Sequence, residues 1–200
     1  MPKTIAVFDF DDTLVKGDSF KPFLIFVAGW PASLLALADT LLLFVVRCWK
    51  NRHDPVVLDF RTFLKAEMMR RTLKGHRTDK LGPIHGKMLN WRTWNEEMKQ
   101  ALLDHKANGA HIVVASGGLD LYLRELLKDL PVDAVICTEV GVDGNVITGE
   151  MTSGNCVRER KAEMVADYMA QHGPFDVSWG YGNYPHDVPM LNLMQHRVLV

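Results

Sequence analysis

The sequence predicts an α/β fold: a Rossmann-like, mostly parallel sheet with helices on both faces and an all-helical insertion after the first strand. Three observations predict it. Short apolar, β-branched runs recur through the second half of the chain. Helical periodicity fills the gaps between them, and alternation of strand and helix is the pattern of parallel pairing. One further strand-like run opens the chain, and the stretch 18–108 behind it carries helical patterns with no clear strand.

"KTIAVFDF" is short, apolar and β-branched, which suits a strand buried on both faces. "GAHIVVAS" (109–116) is a second such strand, and "GGLDLYLRELLKDL" continues it with helical period until Pro131. "DAVICT" (133–138) reads as a third strand. "TEVGVDGNVITGEM" alternates around Asp143-Gly144, the signal of a hairpin. "RERKAEMVADYMAQH" (158–172) is helical and stops at Gly173-Pro174. "FDVSWGYG" is a fourth core strand, "DVPMLNLM" starts a short helix, and "HRVLV" is a last strand. The domain reading is therefore a catalytic core of residues 1–17 and 109–200 with a helical cap of 18–108. In the cap, "DPVVLDFRTFLKAEMMRRTLKG" and "WRTWNEEMKQALLDHKANG" are amphipathic, and each stops at glycine.

"FLIFVAGWPASLLALADTLLLFVV" (23–46) stands apart. About 20 apolar residues suffice to cross a bilayer. Lys16 and Lys21 precede the segment, and Arg47, Lys50 and Arg52 follow it. Pro31 and Asp39 divide it, and a single span would put the first strand and the rest of the core on opposite sides of a membrane. The expected structure is two apolar helices meeting at Gly29-Trp30-Pro31 and partly buried in the cap, with contact to a membrane surface as the alternative.

Composition narrows the function. The chain is 48% apolar with a net charge of −1, so no basic field points to nucleic acid. Three separated cysteines form no CxxC and suit a reducing, cytoplasmic setting. Eight scattered histidines form no metal motif. No secretory leader is expected, because the first apolar run is short and meets Asp9 and Asp11 at once. Oligomeric state is left open.

The chemistry gathers at strand ends, where ligands of open α/β sheets bind. Asp9, Asp11 and Asp12 crowd the end of the first strand, and like charges so close call for a cation or hydrogen bonds. Asp9 and Asp11 share one side of the strand, since side chains alternate with period two. Ser116 ends the second strand, Lys161 opens a helix, and the segment 180–187 follows the fourth core strand. Carboxylates suit Mg²⁺, while a hydroxyl, a backbone N–H and a lysine suit phosphate oxygens.

In order, "DFDDT", "IVVASGG", "NCVRERK" and "GNYPHD" resemble the four motifs of the haloacid dehalogenase (HAD) superfamily, in its phosphoserine-phosphatase-like branch with a C1-type cap. The resemblance covers nearly the whole chain. It implies a Mg²⁺-dependent phosphomonoesterase. In it Asp9 is the nucleophile, becoming an aspartyl-phosphate. Asp11 is the general acid and then base, Ser116 and the Gly117 N–H bind phosphoryl oxygens, and Lys161 neutralises them. Thr13 caps the turn and touches phosphate. Mg²⁺ would be held by Asp9, the Asp11 carbonyl, Asn183 and Asp187. Asn183 departs from the pattern, which has a carboxylate there, so weaker Mg²⁺ binding is expected.

The substrate is read as a small phosphorylated metabolite such as phosphoserine or a related amino-alcohol phosphate. Asp18, nine residues after Asp9, stands where phosphoserine phosphatases carry an acidic residue for the substrate amine, and it is equally placed to cap the first cap helix. Arg70, Arg71, Lys74 and Arg77 are either anion contacts or a solvated basic helix end. Two alternatives stand beside this reading. One is a phospholipid headgroup phosphatase, phosphatidylglycerophosphate-like, at a membrane surface through 23–46. The other is a catalytically weak HAD-fold binding protein.

Overall fold

The computed structural model describes residues 3–50 and 59–200. β1 (Thr4–Phe8) is followed by α1 (Phe20–Ala28), α2 (Trp30–Lys50), α3 (Phe60–Thr72), α4 (Gly82–Trp91) and α5 (Glu96–Ala107). Then come β2 (His111–Leu119), α6 (Asp120–Leu127), β3 (Ala134–Thr138), the hairpin β4 (Val140–Asp143) and β5 (Val146–Met151), α7 (Arg158–His172), β6 (Val177–Gly182), α8 (Val188–Leu191) and β7 (His196–Leu199).

The main sheet has the order β3-β2-β1-β6-β7, and all its neighbours run parallel. β1 lies at its centre, and the order departs from it in opposite directions, which makes the carboxyl end of β1 the switch point where such sheets open a crevice. The period of two is visible in the packing. Ala6 and Phe8 join one apolar layer with Ile112, Val114, Leu102 and Tyr122, while Ile5 and Val7 join the other with Val113, Val165 and Met190. β2 runs three residues beyond its expected end, through the two glycines to Leu119, with a register shift against β3.

Among the described residues the insertion is helical. It includes α4, which the sequence reading passed over as an element of its own. α5 packs on β1 and β2, and α3 packs on β5. The second contact is close: a Cβ on Gly149 would lie 2.9 Å from the Arg70 backbone, so only glycine lets the hairpin reach α3. Residues 54–58 of the segment expected to lead into α3 lie outside the described residues.

The apolar segment does form two helices meeting at Gly29, whose φ of 84° and N–H bond to the Ile25 carbonyl (2.8 Å) end α1. Both helices are partly buried, as expected, but unevenly. α1 buries Phe23 and Leu24, but α2 turns its small residues inward. Its buried positions are Ser33, Ala36 and Thr40, while Leu35, Leu42, Val45 and Trp49 are each more than 60% exposed. A helix packed for a water-soluble surface does the reverse.

Candidate active site

The end of β1 sets the site. Asp9 donates its N–H to the Tyr181 carbonyl (2.9 Å), extending the β1–β6 ladder by one residue and fixing the carboxylate at the switch point. Lys161, in the first turn of α7, reaches it from the other layer. Its Nζ donates to Asp9 Oδ1 and to Asp187 Oδ1, both at 2.6 Å, and all three groups are nearly inaccessible to solvent. Asp187 comes this close because Gly182 has no side chain: a Cβ there would lie 2.6 Å from the Asp187 Cβ. The Asn183 N–H donates to Asp187 Oδ2 (2.9 Å).

One ammonium between two buried carboxylates leaves a net negative charge, and Asp11 adds to it. Asp9 is raised from 3.8 to about 6, first by burial, against the pull of Lys161. Asp11 is raised further, from 3.8 to about 7, by burial and then by the Asp9 charge. Asp11 Oδ1 accepts the Ser19 N–H (2.9 Å), and Ser19 Oγ shares a hydrogen bond with the Tyr122 hydroxyl (2.8 Å), which holds the carboxyl in place. Burial pushes the Lys161 ammonium down, but the Asp9 and Asp187 carboxylates outweigh it and hold the group above its ordinary value, as a cation.

These groups floor a cavity of about 650 Å³. Asp9, Asp11, Asp18, Gly117, Lys161, Asn183 and Asp187 all line it, which brings together most of the residues singled out in the sequence. Two lie behind the wall. Ser116 is fully buried, and its Oγ accepts the Gly118 N–H (2.9 Å). Thr13 is also fully buried, and its Oγ1 has no hydrogen-bond partner in the protein. Asp18 caps α1, accepting the N–H groups of Phe20 (2.9 Å) and Lys21 (3.4 Å), and borders the cavity as well. Asp12 stays in the turn at a φ of 55°, exposed, accepting the Gly17 N–H. The basic run does not reach the site: Arg70 and Arg71 pair with Glu67, Arg77 pairs with Asp79, and none of them lines the cavity.

The roof was not legible in the sequence. Leu24, Ile25, Trp30, Leu34, Leu37 and Met68 give it apolar walls. Lys65 enters from α3 and donates to the Gly117 carbonyl, Thr138 Oγ1 (3.0 Å) and Asn155 Oδ1 (2.8 Å). Asn155 Nδ2 in turn donates to Thr62 Oγ1 (2.9 Å), so α3 is tied to the core at two points. Arg61, Arg158 and His186 stand on the same wall. Asn155 was visible as part of "NCVRERK" without a role; nothing in the local sequence marked Lys65 or Arg61.

The donor atoms at the floor are oxygen only: the Asp9 and Asp187 carboxylates, the Asp11 carbonyl and the Asn183 carboxamide. Oxygen donors with uncompensated negative charge fit a hard divalent cation. Asn183 differs from a carboxylate in one visible way: its Nδ2 donates to the Asp11 carbonyl (3.1 Å).

The profile of the haloacid dehalogenase-like hydrolases matches residues 6–192. Protein CicA of Caulobacter vibrioides (strain NA1000 / CB15N) is 27% identical over 202 residues, covering 96% of this chain and 84% of the relative. A protein of unknown function from Bordetella pertussis Tohama I superposes with a TM-score of 0.76 at 20% identity, over 100% of this chain and 90% of that one. A phosphoserine phosphatase solved as a phospho-aspartyl intermediate analogue superposes with a TM-score of 0.64 at 17% identity, over 100% and 87%. At these identities the structures share the fold.

Proposed function

The chain belongs to the haloacid dehalogenase-like hydrolases, and from that membership we propose that it is a Mg²⁺-dependent phosphomonoesterase acting through Asp9. The observation that carries this reading is the Lys161 bridge between Asp9 and Asp187 at the cavity floor, with Asp11 two residues further on. The Asp9 oxygen attacks phosphorus and forms the aspartyl-phosphate as the bond to the leaving oxygen breaks. Asp11 gives its proton to that oxygen. It then takes a proton from the attacking water, whose oxygen bonds to phosphorus while the bond to Asp9 breaks, releasing phosphate. A carboxyl held at about 7 suits both halves of that exchange. Lys161 offsets charge on Asp9 and on the phosphoryl oxygens, and the Gly117 N–H supplies a donor. Mg²⁺, held by Asp9, Asp187, the Asp11 carbonyl and Asn183, would supply electrostatic neutralisation of the phosphoryl group.

The test is p-nitrophenyl phosphate hydrolysis with and without Mg²⁺, for wild type and Asp9→Asn. Mg²⁺-dependent turnover that falls at least about 10³-fold in Asp9→Asn is expected. No turnover in the wild type at saturating Mg²⁺ would favour the binding-only reading.

For the substrate, the polar floor suits a small metabolite such as phosphoserine as well as any larger ester. One observation favours the larger. The 20-residue stretch Trp30–Trp49 has a mean hydropathy of 1.8 and is only 17% buried, while its Trp30 and Leu34 both face solvent and line the cavity. The cavity therefore opens beside an exposed apolar face, with Lys16, Lys21 and Arg47 nearby in the chain, as suits a lipid phosphate met at an anionic membrane surface. Co-sedimentation with vesicles containing phosphatidylglycerol, lost in Leu35→Asp/Leu42→Asp, would support this reading. Solubility with no vesicle binding would return the substrate to the small metabolites, acting in the cytoplasm.

A further inference from the structure

On the wall of the cavity three side chains converge that the hydrolytic chemistry does not use. Arg61 comes from the first turn of α3, Arg158 from the first position of α7, and His186 from the loop after β6. Arg61 Nη1 and His186 Nε2 are 2.6 Å apart. Arginine nitrogens only donate, so His186 Nε2 accepts this bond from the guanidinium. Among the described residues, the one carboxylate in ion-pair contact with either arginine is Asp59, whose Oδ1 stands 4.0 Å from Arg158 Nη1. Asp59 is already engaged: it accepts the Arg61 N–H (3.2 Å) and the Thr62 hydroxyl (2.7 Å) as the cap of α3. Among the described residues, two guanidiniums with ten N–H donors between them thus face one side chain of opposite charge.

The arrangement is unfavourable in itself. Arg158 adopts a φ of 51°, a left-handed conformation that is costly for a non-glycine residue. It also sets a cation at the N-terminus of a 15-residue helix, against the helix dipole. Local rules broken together in this way collect at functional sites. The cluster is held in place, because α3 is bonded to the core by Thr62 and Lys65 directly behind Arg61. Arginine forks match phosphate and carboxylate oxygens in pairs, which a neutral ligand does not require.

We propose that Arg61, Arg158 and His186 form a second anion subsite on the cavity wall, so that the substrate is a phosphomonoester bearing a further anionic group, a phosphate ester or a carboxylate. This rests on the phosphomonoesterase reading of the floor. A phosphate at the floor and an anion at the wall would fix both ends of one molecule, and the distance between them would select its length.

The test reads binding separately from turnover. Asp9→Asn protein with Mg²⁺ is titrated calorimetrically with three probes at spacers of two, four and six carbons: alkyl phosphates, alkanediol bisphosphates and ω-carboxyalkyl phosphates. At the best spacer a probe with a second anion is expected to bind at least tenfold tighter than the alkyl phosphate. That exceeds the twofold due to the two equivalent ends of a bisphosphate. In Arg61→Gln/Arg158→Gln the advantage is expected to shrink to threefold or less. A preference for the bisphosphate or for the carboxylate identifies which anion is taken. Equal affinity for all three probes, or an advantage that survives in the double variant with an unchanged melting temperature, overturns the proposal. If the double variant does not fold, Arg158→Gln alone is used with the same ratio as the readout. Failure of the wild type to hydrolyse any phosphomonoester would sink the reading of the floor, whereas a retained tenfold preference would keep the wall subsite.

Discussion

Replacing Asp11 by Asn is expected to make the metal-free protein more stable, by an amount that depends on pH. Burial first, and the Asp9 carboxylate second, raise the Asp11 carboxyl from 3.8 to about 7 in the folded chain. In the unfolded chain it ionises at its ordinary value. Between those two values the folded chain keeps a proton that the unfolded chain has lost, so this group's contribution to stability falls as pH rises through the window and levels off above about 7. A gap of about three pH units is worth ~4 kcal/mol at 1.36 kcal/mol per unit. Asp11 borders an open cavity, and screening by water there brings the penalty to about 2 kcal/mol. Asn keeps the shape and the bond from the Ser19 N–H (2.9 Å in the wild type) but carries no charge. For a chain of this size, 1 kcal/mol moves Tm by roughly 2–4 °C, so Asp11→Asn should melt about 4–8 °C above wild type at pH 8 and within about 1 °C of it at pH 4. Calorimetric melts in excess chelator measure this. An equal gain at both pH values, or none at pH 8, would refute the argument that a buried, uncompensated carboxylate strains the site.

Three other outcomes follow from the same charges. Ethyl phosphate hydrolysis should decline by about tenfold per pH unit above about 7, as Asp11 loses the proton its leaving group needs. p-Nitrophenyl phosphate, whose leaving group is a stable anion, should decline far less, and matching pH profiles would remove Asp11 as the acid. Lys161→Met leaves Asp9 and Asp187 buried without their shared cation. Loss of a buried partner costs ~3–5 kcal/mol, so Tm at pH 8 should drop by roughly 6–20 °C, and by less at pH 4, where Asp9 regains its proton. Asn183→Asp adds a charged oxygen ligand and should tighten Mg²⁺ binding by about tenfold or more in a calorimetric titration while lowering the melting temperature of the metal-free protein. Unchanged Mg²⁺ affinity would place residue 183 outside the metal shell.

Much of the core was legible because its signals are local. Ile5 to Phe8 is apolar at every position since both faces of β1 are covered, and such a run reads as a buried strand without knowledge of what covers it. The spacing of Asp9 and Asp11 already put them on one side of that strand, and the DxDxT, Ser, Lys and Asp motifs sat where strands end. The cap was less legible. α2 reads as apolar all along its length, and only packing shows that Ser33, Ala36 and Thr40 face inward while leucines face out. Lys65 and Arg61 are separated by 50 residues or more from the motifs they touch, and His186, inside GNYPHD, carries no signal pointing to them, so no local pattern could bring them together.

By itself, the sequence determined the strand–helix alternation, the parallel sheet it entails and the acidic end of β1, because periodicity and residue type act within a few residues. Tertiary structure alone decided the charge balance and the cavity. Lys161 meets Asp9 across 152 residues, and Asn155 meets Thr62 across 93. The strength of a buried charge depends on who stands within a few ångströms and on how much water is excluded. Neither is a property of neighbouring letters, which is why the carboxylates were visible in the chain and their pKa values, the apolar roof and the arginine wall were not.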